Sequence, residues 1–532
     1  MIRKLVLFLT FTSVVSAADV NFLIMPDEVI GPISPYIYGV NDVDPGDSGA
    51  TVRRLGGNRM TGYNWTNNAS NAGNAGRHMS DNWLCENHSY TDCDKPGAFA
   101  KHFVEENRQY GVQTLMTIPL AGFVAADKDG EVTDREAAPN RRWKRTEFHK
   151  RKPYSLAPDP RDPIVYEDEF VNYLVSNFKK GGEGGIRFYD LDNEPGIWPS
   201  THPRIHPEKT SYWEMRNRTE AAAENILRVD PTAMIFGAVC SGWQEFLTLQ
   251  DAPESGDASV TQTFPTYLDF YLDFIHHLQS AYHKRLVQVL DLHWYSEAQG
   301  SGNPSTGLGA KGITENDVTP DFIEARLQAP RSLWDPGYVE KSWITRLSTK
   351  GKPIELIPWV KEKIDTRCPG TLLAFSEYDY GAGDHVSGGI AQADVLGIFG
   401  KFGIFLAAFG GELKPFNRAA FKLFRNYDGK NGTFGDTAVS AATEDVTRTS
   451  CYAATDSKTP GILRVVILNK NQRDSIHGQV KLQGRNTYVS FEAFSFKGDS
   501  PEIKPVKKDK VEKNHFDYSL PPLSATLFVL QQ

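Results

Sequence analysis

The sequence predicts an α/β fold: a (β/α)8 TIM barrel joined to a smaller antiparallel β-sandwich, the sandwich built from the C-terminal region plus one or two N-terminal strands. Three observations predict it. From Val52 to about Gly411, short β-branched or aromatic runs alternate with longer helical stretches, the written form of repeated βα units. From residue 437 to 532 the period changes to short alternating segments such as GILRVVILNK and YVSFEAFSFKG between turn residues, which is how sandwich strands read. The length of 532 residues, 40% apolar and 23% charged, gives one barrel and one smaller domain a full core and excludes a largely disordered or coiled-coil chain.

Taken in order, Arg3 and Lys4 precede an apolar run from Leu5 to Val15 and then small residues, so residues 1–17 read as a secretory signal peptide. The run is shorter than the ~20 residues that span a bilayer, and no later stretch is longer, so no membrane association is expected. Residues 18–40 have sandwich texture and are assigned to that domain; residues 41–430 are assigned to the barrel and 431–532 to the sandwich. Seven barrel strands are plain: 51–57, 113–120, 185–195, 232–239, 287–295, 371–381 and 402–411. The eighth is sought between Gly122 and Ile164, where a polar insertion obscures the period.

The balance of 58 Lys+Arg against 66 Asp+Glu, net −8, with no dense basic cluster, argues against nucleic acid as a partner. The five cysteines fall at 85, 93, 240, 368 and 451, and Cys85 and Cys93 are spaced to close a short polar loop as a disulfide. The other three are expected to include a buried free thiol. No Cys/His metal spacing is present. Glycosylation sequons stand at Asn64, Asn68, Asn87, Asn217 and Asn431.

Several strand runs end in polar or charged residues, and in a barrel those ends share one mouth: Asn58, Asn193, Glu194, His293, Tyr295 and Glu377. Two of these are carboxylates, Glu194 in YDLDNEPGIW and Glu377 in LLAFSEYDYG. Alone, either reads equally well as a strand-end ion pair; together at one mouth, they are a pair of the kind that hydrolyses glycosidic bonds. Asn193 is placed to hydrogen-bond a substrate hydroxyl. His293 and Tyr295, two apart, share one strand face, with Trp294 on the other.

The runs RRLGGNRMTGYNWTNNASNAGN, DLDNEPGIWPSTHPRIHP, FSEYDYGAGDHVSGGIAQADVLGIFGKFG and FRNYDGKNGTFGDTAV resemble glycoside hydrolase family 44, endo-β-1,4-glucanases and xyloglucanases, over nearly the whole chain. That resemblance implies a retaining mechanism, with Glu194 as general acid/base and Glu377 as nucleophile. Glu194 then begins protonated, because an ionised Glu377 disfavours a second charge beside it. It also implies an arginine beside the nucleophile. The motif favours Arg54; Arg53 is the alternative, depending on strand register. The Asn-, Tyr- and Trp-rich loop 58–71 supplies Asn58, Tyr63, Asn64 and Trp65 as candidate sugar contacts, joined by Trp198, Trp294 and Tyr378. A glycan on Asn64 would block such a cleft, so Asn64 is expected to be unmodified.

Two departures from the family pattern stand out. Thr66 replaces an acid in the family's NWENN, which puts a calcium ion in question; Asp159 or Asp162 in APDPRDPIVYEDEF is the alternative ligand source. Phe409 takes the place of a tryptophan at the end of the eighth strand. The expectation is a secreted, monomeric, retaining endo-β-1,4-glucanase that needs no cofactor and acts on a β-glucan polysaccharide. A xyloglucanase or mixed-linkage glucanase on the same scaffold is the alternative, and a catalytically silent carbohydrate-binding protein the alternative of another class.

Overall fold

The computed structural model describes residues 18–41, 46, 49–301, 311–498 and 500–532; the signal-peptide reading of residues 1–17 lies outside them. Eight parallel strands close a barrel: Gly39–Asn41, Val52–Leu55, Gln113–Ile118, Phe188–Leu191, Met234–Cys240, Val289–Tyr295, Leu372–Asp379 and Leu406–Phe409. The last pairs with the first, Ala408 opposite Gly39 and Phe409 opposite Val40. A Cβ on Gly39 would lie 2.5 Å from the Ala407 carbonyl oxygen, so the seam closes only because that residue has no side chain.

The eighth barrel strand therefore does not come from 122–164. That insertion forms a separate three-stranded sheet from Phe123–Ala125, Trp143–Glu147 and Ile164–Tyr166. The strand is Gly39–Asn41, at the end of the segment assigned by sequence to the sandwich. Three residues directly after the turn Pro35–Ile37 are too few to show a period of two.

Along the strands the period of two sorts the barrel interior into layers. Val52, Leu115, Phe188, Phe236, Val289, Ala374 and Leu406 make an apolar floor, closed from below by Tyr36 and Phe405. Two residues further up stand Arg54, Asp190 and Asp291, all with no exposed surface. Arg53, between them in phase, points outward to the helix Ala98–Gln109, where it donates to Glu106 at 3.0 Å and lies over Phe103. Register thus puts Arg54 inside.

The second domain is one continuous nine-stranded sheet. Ala18–Pro32 lies within it, antiparallel to Thr437–Thr443 on one side and parallel to Ile476–Leu482 on the other. The sheet curls over until Phe491, in its second strand, meets Phe516, in its last, at 4.5 Å between ring centroids. The two halves enclose Val20, Phe22, Ile24, Val465, Phe528 and Leu530 as a sandwich core. Among the described residues no helix is long and apolar enough to cross a membrane.

The domains are welded through the helix Val386–Lys401, buried from Val386 to Gly400. A Cβ on Gly397 would meet the Tyr452 ring at 2.2 Å, so glycine lets the sheet approach the helix backbone. Tyr452 donates its hydroxyl to Asp394, whose other oxygen faces the Lys470 ammonium at 3.7 Å. Burial pulls the Lys470 ammonium down while Asp394 opposes it. Replacing Asp394 with Ala leaves the buried Lys470 ammonium without its counter-charge and the Tyr452 hydroxyl without its carboxylate acceptor; about 3–5 kcal/mol of stability should be lost, read as a lower urea midpoint, whereas an unchanged midpoint would show that the weld does not depend on this pair.

Candidate active site

The mouth is built on the exits of the second, fourth, sixth and seventh barrel strands. After the fourth strand the chain turns sharply: Asp192 and Glu194 both have left-handed backbone angles, φ 66° and 48°, costly for side-chain-bearing residues. The turn is held from several sides. The Asp192 carboxylate accepts from Thr61 Oγ1 at 2.6 Å and from the amides of Asn193, Leu120 and Ala121. Burial pushes Asp192 up to about 6, with those donors opposing. Glu194 N donates to Val239 O at 2.9 Å, and Trp198 Nε1 to Asn193 O at 2.9 Å.

Glu194 and Glu377 are both 14% exposed at the side chain, enough to meet a solute in the mouth, whereas His293 between them is fully buried. His293 Nδ1 lies 3.0 Å from Glu194 Oε1 and 3.7 Å from Glu377 Oε2. One ligand atom from each of the three groups falls within 4.8 Å of the others. His293 Nε2 faces Ser376 Oγ at 3.2 Å. Burial alone would lower the imidazole, but Glu377 and then Glu194 outweigh it and raise its pKa, favouring the protonated form.

Glu377 is set for the opposite state. Burial raises its carboxyl, but the charges of His293 and Arg54, with donation from Tyr295 Oη to Oε2 and Arg54 Nη1 to Oε1, both at 2.6 Å, hold it below the ordinary range. Burial and the same carboxylate push the Tyr295 phenol far up, so it remains a donor. Arg54 divides its guanidinium among four groups: Nε to Asp190 at 2.6 Å, Nη1 to Asn41 at 3.2 Å as well as Glu377, and Nη2 to Asn193 Oδ1 at 3.1 Å. Burial works against its charge, but Asp190, Glu377 and Asp291 outweigh it and raise the pKa. Asn193 Nδ2 in turn reaches Asn58 Oδ1 at 3.3 Å. The structure thus brings together Glu194, Glu377, Asn193, His293, Tyr295, Arg54 and Asn58.

Of the seven aromatic or amide groups expected to touch sugar, all but Asn58 lie outside the mouth. Tyr63, Asn64 and Trp65 have 0–1% of their surface exposed. Trp65 stacks on Phe170 and Tyr63 packs edge-on to Phe99 and Phe170, because the loop that carries them is covered by the helices Ala98–Gln109 and Glu167–Phe178. Asn64 Nδ2 donates to Ala125 O at 2.8 Å, and its Oδ1 accepts from both the amide and the hydroxyl of Thr66, the residue that departs from the family pattern. Trp198 lies behind Asn193. Trp294 faces outward onto Phe246, and Tyr378 is packed between Phe399 and Phe409 while accepting from Gln392. Phe409 is itself buried against Tyr378, not laid open as a sugar platform.

Trp83 is 40% exposed, with the Arg59 guanidinium 4.4 Å from its ring and Arg59 anchored on Asp81 at 2.6 Å. Beside Glu377 a cavity of about 550 Å³ opens over Asp379, Phe409 and Gly411, with Asn316, His385 and Asn417 along its wall. Asp379 is within reach of sequence reasoning, since it lies two residues beyond Glu377 on the same strand face.

Asp159 is held by Arg161 through both oxygens at 3.0 and 2.9 Å, and Asp162 accepts from the Ile164 amide through Oδ1 at 3.0 Å. Among the described residues the one cluster of three acidic, His or Cys groups within ligand range is Glu194, His293 and Glu377. Its donors already face Arg54 and an imidazole that favours its proton, which suits proton transfer better than cation binding. Cys85 and Cys93 form the expected disulfide, and all three remaining cysteines are buried free thiols. Asn64 and Asn68 are buried, while the sequon asparagines 87, 217 and 431 are exposed.

Known proteins share this architecture. The model of glycoside hydrolase family 44 matches residues 69–298. Endoglucanase A of Paenibacillus lautus is 42% identical over 522 residues, covering 97% of this chain and 73% of that protein. The structure of a family 44 xyloglucanase from Paenibacillus polymyxa superimposes with a TM-score of 0.92 at 40% identity, covering 97% of this chain and all of that one. A family 44 endoglucanase from Clostridium thermocellum gives 0.92 at 39%, with the same coverage.

Arg54 is open to a direct test. Arg54→Met leaves Asp190, Asp291 and Glu377 around a site from which their guanidinium is gone, which should cost about 3–5 kcal/mol at pH 7. Glu377 is depressed in the folded wild type, so its contribution is fully present above the ordinary carboxyl range and lost as pH falls below that range toward the lowered folded value. Thermal melts should therefore show a gap between wild type and variant that is full at pH 7 and narrows as pH falls below the ordinary carboxyl range; a gap of constant size down to pH 3 would contradict the charge argument.

Proposed function

The chain belongs to glycoside hydrolase family 44, and from that membership and the geometry of its barrel mouth we propose that Glu377 is the nucleophile and Glu194 the acid/base of a retaining endo-β-1,4-glucanase. The observation that carries the assignment is the pair of partly exposed carboxyl groups that flank His293, with one oxygen of each within 4.8 Å of the other. Retention needs carboxyl groups only ~5–5.5 Å apart, whereas inversion needs ~6.5–9.5 Å to admit a water between them.

The steps follow from the contacts. Glu377, kept ionised by Arg54 and Tyr295, attacks the anomeric carbon while Glu194 gives its proton to the departing glycosidic oxygen. A glycosyl ester forms on Glu377, and Tyr295 and Arg54 keep the leaving carboxylate in line for the return step. Glu194, now ionised beside the His293 Nδ1 proton, takes a proton from water, which opens the ester and releases the sugar with its β configuration kept. Asn193, oriented by Arg54, serves the hydroxyl next to the reacting carbon. Every group comes from one chain, in keeping with a monomer, and no step calls for a cofactor.

Xyloglucan is the second substrate we propose, and the side cavity favours it. About 550 Å³ lined by Asp379, His385, Asn316 and Asn417 next to the nucleophile has room and hydrogen-bonding groups for a branch sugar. We also propose export, on the leader-like residues 1–17 and the Cys85–Cys93 disulfide; N-terminal sequencing of protein from the culture medium should begin near Ala18.

Assays on carboxymethyl-cellulose, xyloglucan and lichenan should show cleavage by the wild type. Glu194→Gln should be slower by about 10²–10⁴-fold, Glu377→Gln should be inactive, and NMR of the first products should show the β anomer. Ordinary activity in Glu377→Gln, or α product, would falsify the assignment.

A further inference from the structure

Behind the mouth lies a third carboxyl group that the reaction scheme does not use. Glu245, in the helix Trp243–Thr248, has no exposed surface. Its Oε2 accepts from Ser241 N at 2.6 Å, while Oε1 is buried against the Gly196 backbone. That oxygen lies against Gly196, two residues after Glu194: a Cβ there would come within 2.4 Å of it. Glu245 therefore fills the space between two strand exits, residues 239–243 after the fifth strand and 192–197 after the fourth. Those exits are also tied by the Glu194 N to Val239 O bond, so the left-handed turn that aims Glu194 is backed at two points.

We propose that Glu245 is a positioning residue for the acid/base: wedged between Ser241 and Gly196, it braces from behind the turn that carries Glu194. This rests on reading Glu194 as the proton donor. The groups that face Glu245 are Cys240 on the fifth strand, Tyr267 on the helix Tyr267–Tyr282, Glu194 on the turn and His293 on the sixth strand. Burial, then Glu194, pushes its carboxyl from 4.5 up to about 8, with the Ser241 and Gly196 amides and His293 opposing. At neutral pH the brace is thus an uncharged acid. It adds no negative charge that would make Glu194 hold its proton more tightly.

Ionisation in the unfolded chain near 4.5 and in the folded protein near 8 means that the wild type loses stability as pH rises between them. Gln keeps the shape of the uncharged acid and does not titrate, so Glu245→Gln should melt with wild type at pH 4 and a few degrees above it at pH 8. Its activity should stay within about threefold of wild type. Glu245→Ala leaves the turn unsupported and misplaces the donor, a kind of displacement that costs on the order of 10²-fold. The loss should fall on aryl cellobiosides with a poor leaving group and shrink to about threefold on the 2,4-dinitrophenyl cellobioside, whose departure needs little acid assistance.

An equal loss on both leaving groups, or no loss on either, overturns the positioning role. So does a Glu245→Gln melting offset that is the same at pH 4 and pH 8, and that comparison decides alone if Glu245→Ala does not fold. Glu194→Ala, run alongside, must show the same leaving-group dependence; if it shows none, the fault lies with the acid/base reading, not with the brace.

Discussion

One guanidinium organises the mouth of this barrel. Arg54 is a permanent cation with five donors in a rigid plane, and its nitrogens reach Asp190, Asn41, Glu377 and Asn193. The charge stands in a fully buried layer where attraction is several times stronger than in water. It helps hold Glu377 ionised, donates to the Asn193 amide oxygen and offsets Asp190 and Asp291 in its own layer. Space for the guanidinium is found by leaving Gly56 bare, since a Cβ there would sit 2.4 Å from Arg54 Cζ. Lysine offers one charged point in place of this fork, so neither the orientation of Asn193 nor the pairing with Asp190 and Glu377 together follows from positive charge alone.

The carboxyl groups around the site then divide by environment. Glu377 has cations and donors and is depressed; Asp192 and Asp291 are each pushed to about 6 by burial; Glu245, buried and facing Glu194, is pushed to about 8. Protons are thus sorted over four acids at one barrel end, and His293, raised by Glu377 and Glu194, is the intermediary between those two.

Sequence pattern made the barrel interior legible wherever a strand was long enough to show its period. His293 and Tyr295 face inward and Trp294 outward because side chains alternate along Val289–Tyr295, and the same phase separates Arg53 from Arg54. The first strand escaped notice because three residues carry no period. The loop residues Tyr63, Asn64 and Trp65 were misplaced for another reason. Whether a loop aromatic meets solvent depends on what packs over it, here two helices contributed from 98–109 and 167–178, and no local pattern encodes that. Glu245 escaped for the same reason: its role depends on a close approach to Gly196, 49 residues earlier in the chain.

The place of the first strand of the sheet domain bears on how the molecule is made. Ala18–Pro32 is flanked by strands beginning at residues 437 and 476, so its partners are synthesised last, after the whole barrel. Until then a long ribbon with alternating apolar residues, Val20, Phe22 and Ile24, has no hydrogen-bonding neighbours. The strand is a clasp between the two ends of the chain. The sheet domain assembles only once the ribosome has delivered the C-terminal residues, and a nascent chain cut short at any earlier point carries an open edge at its start.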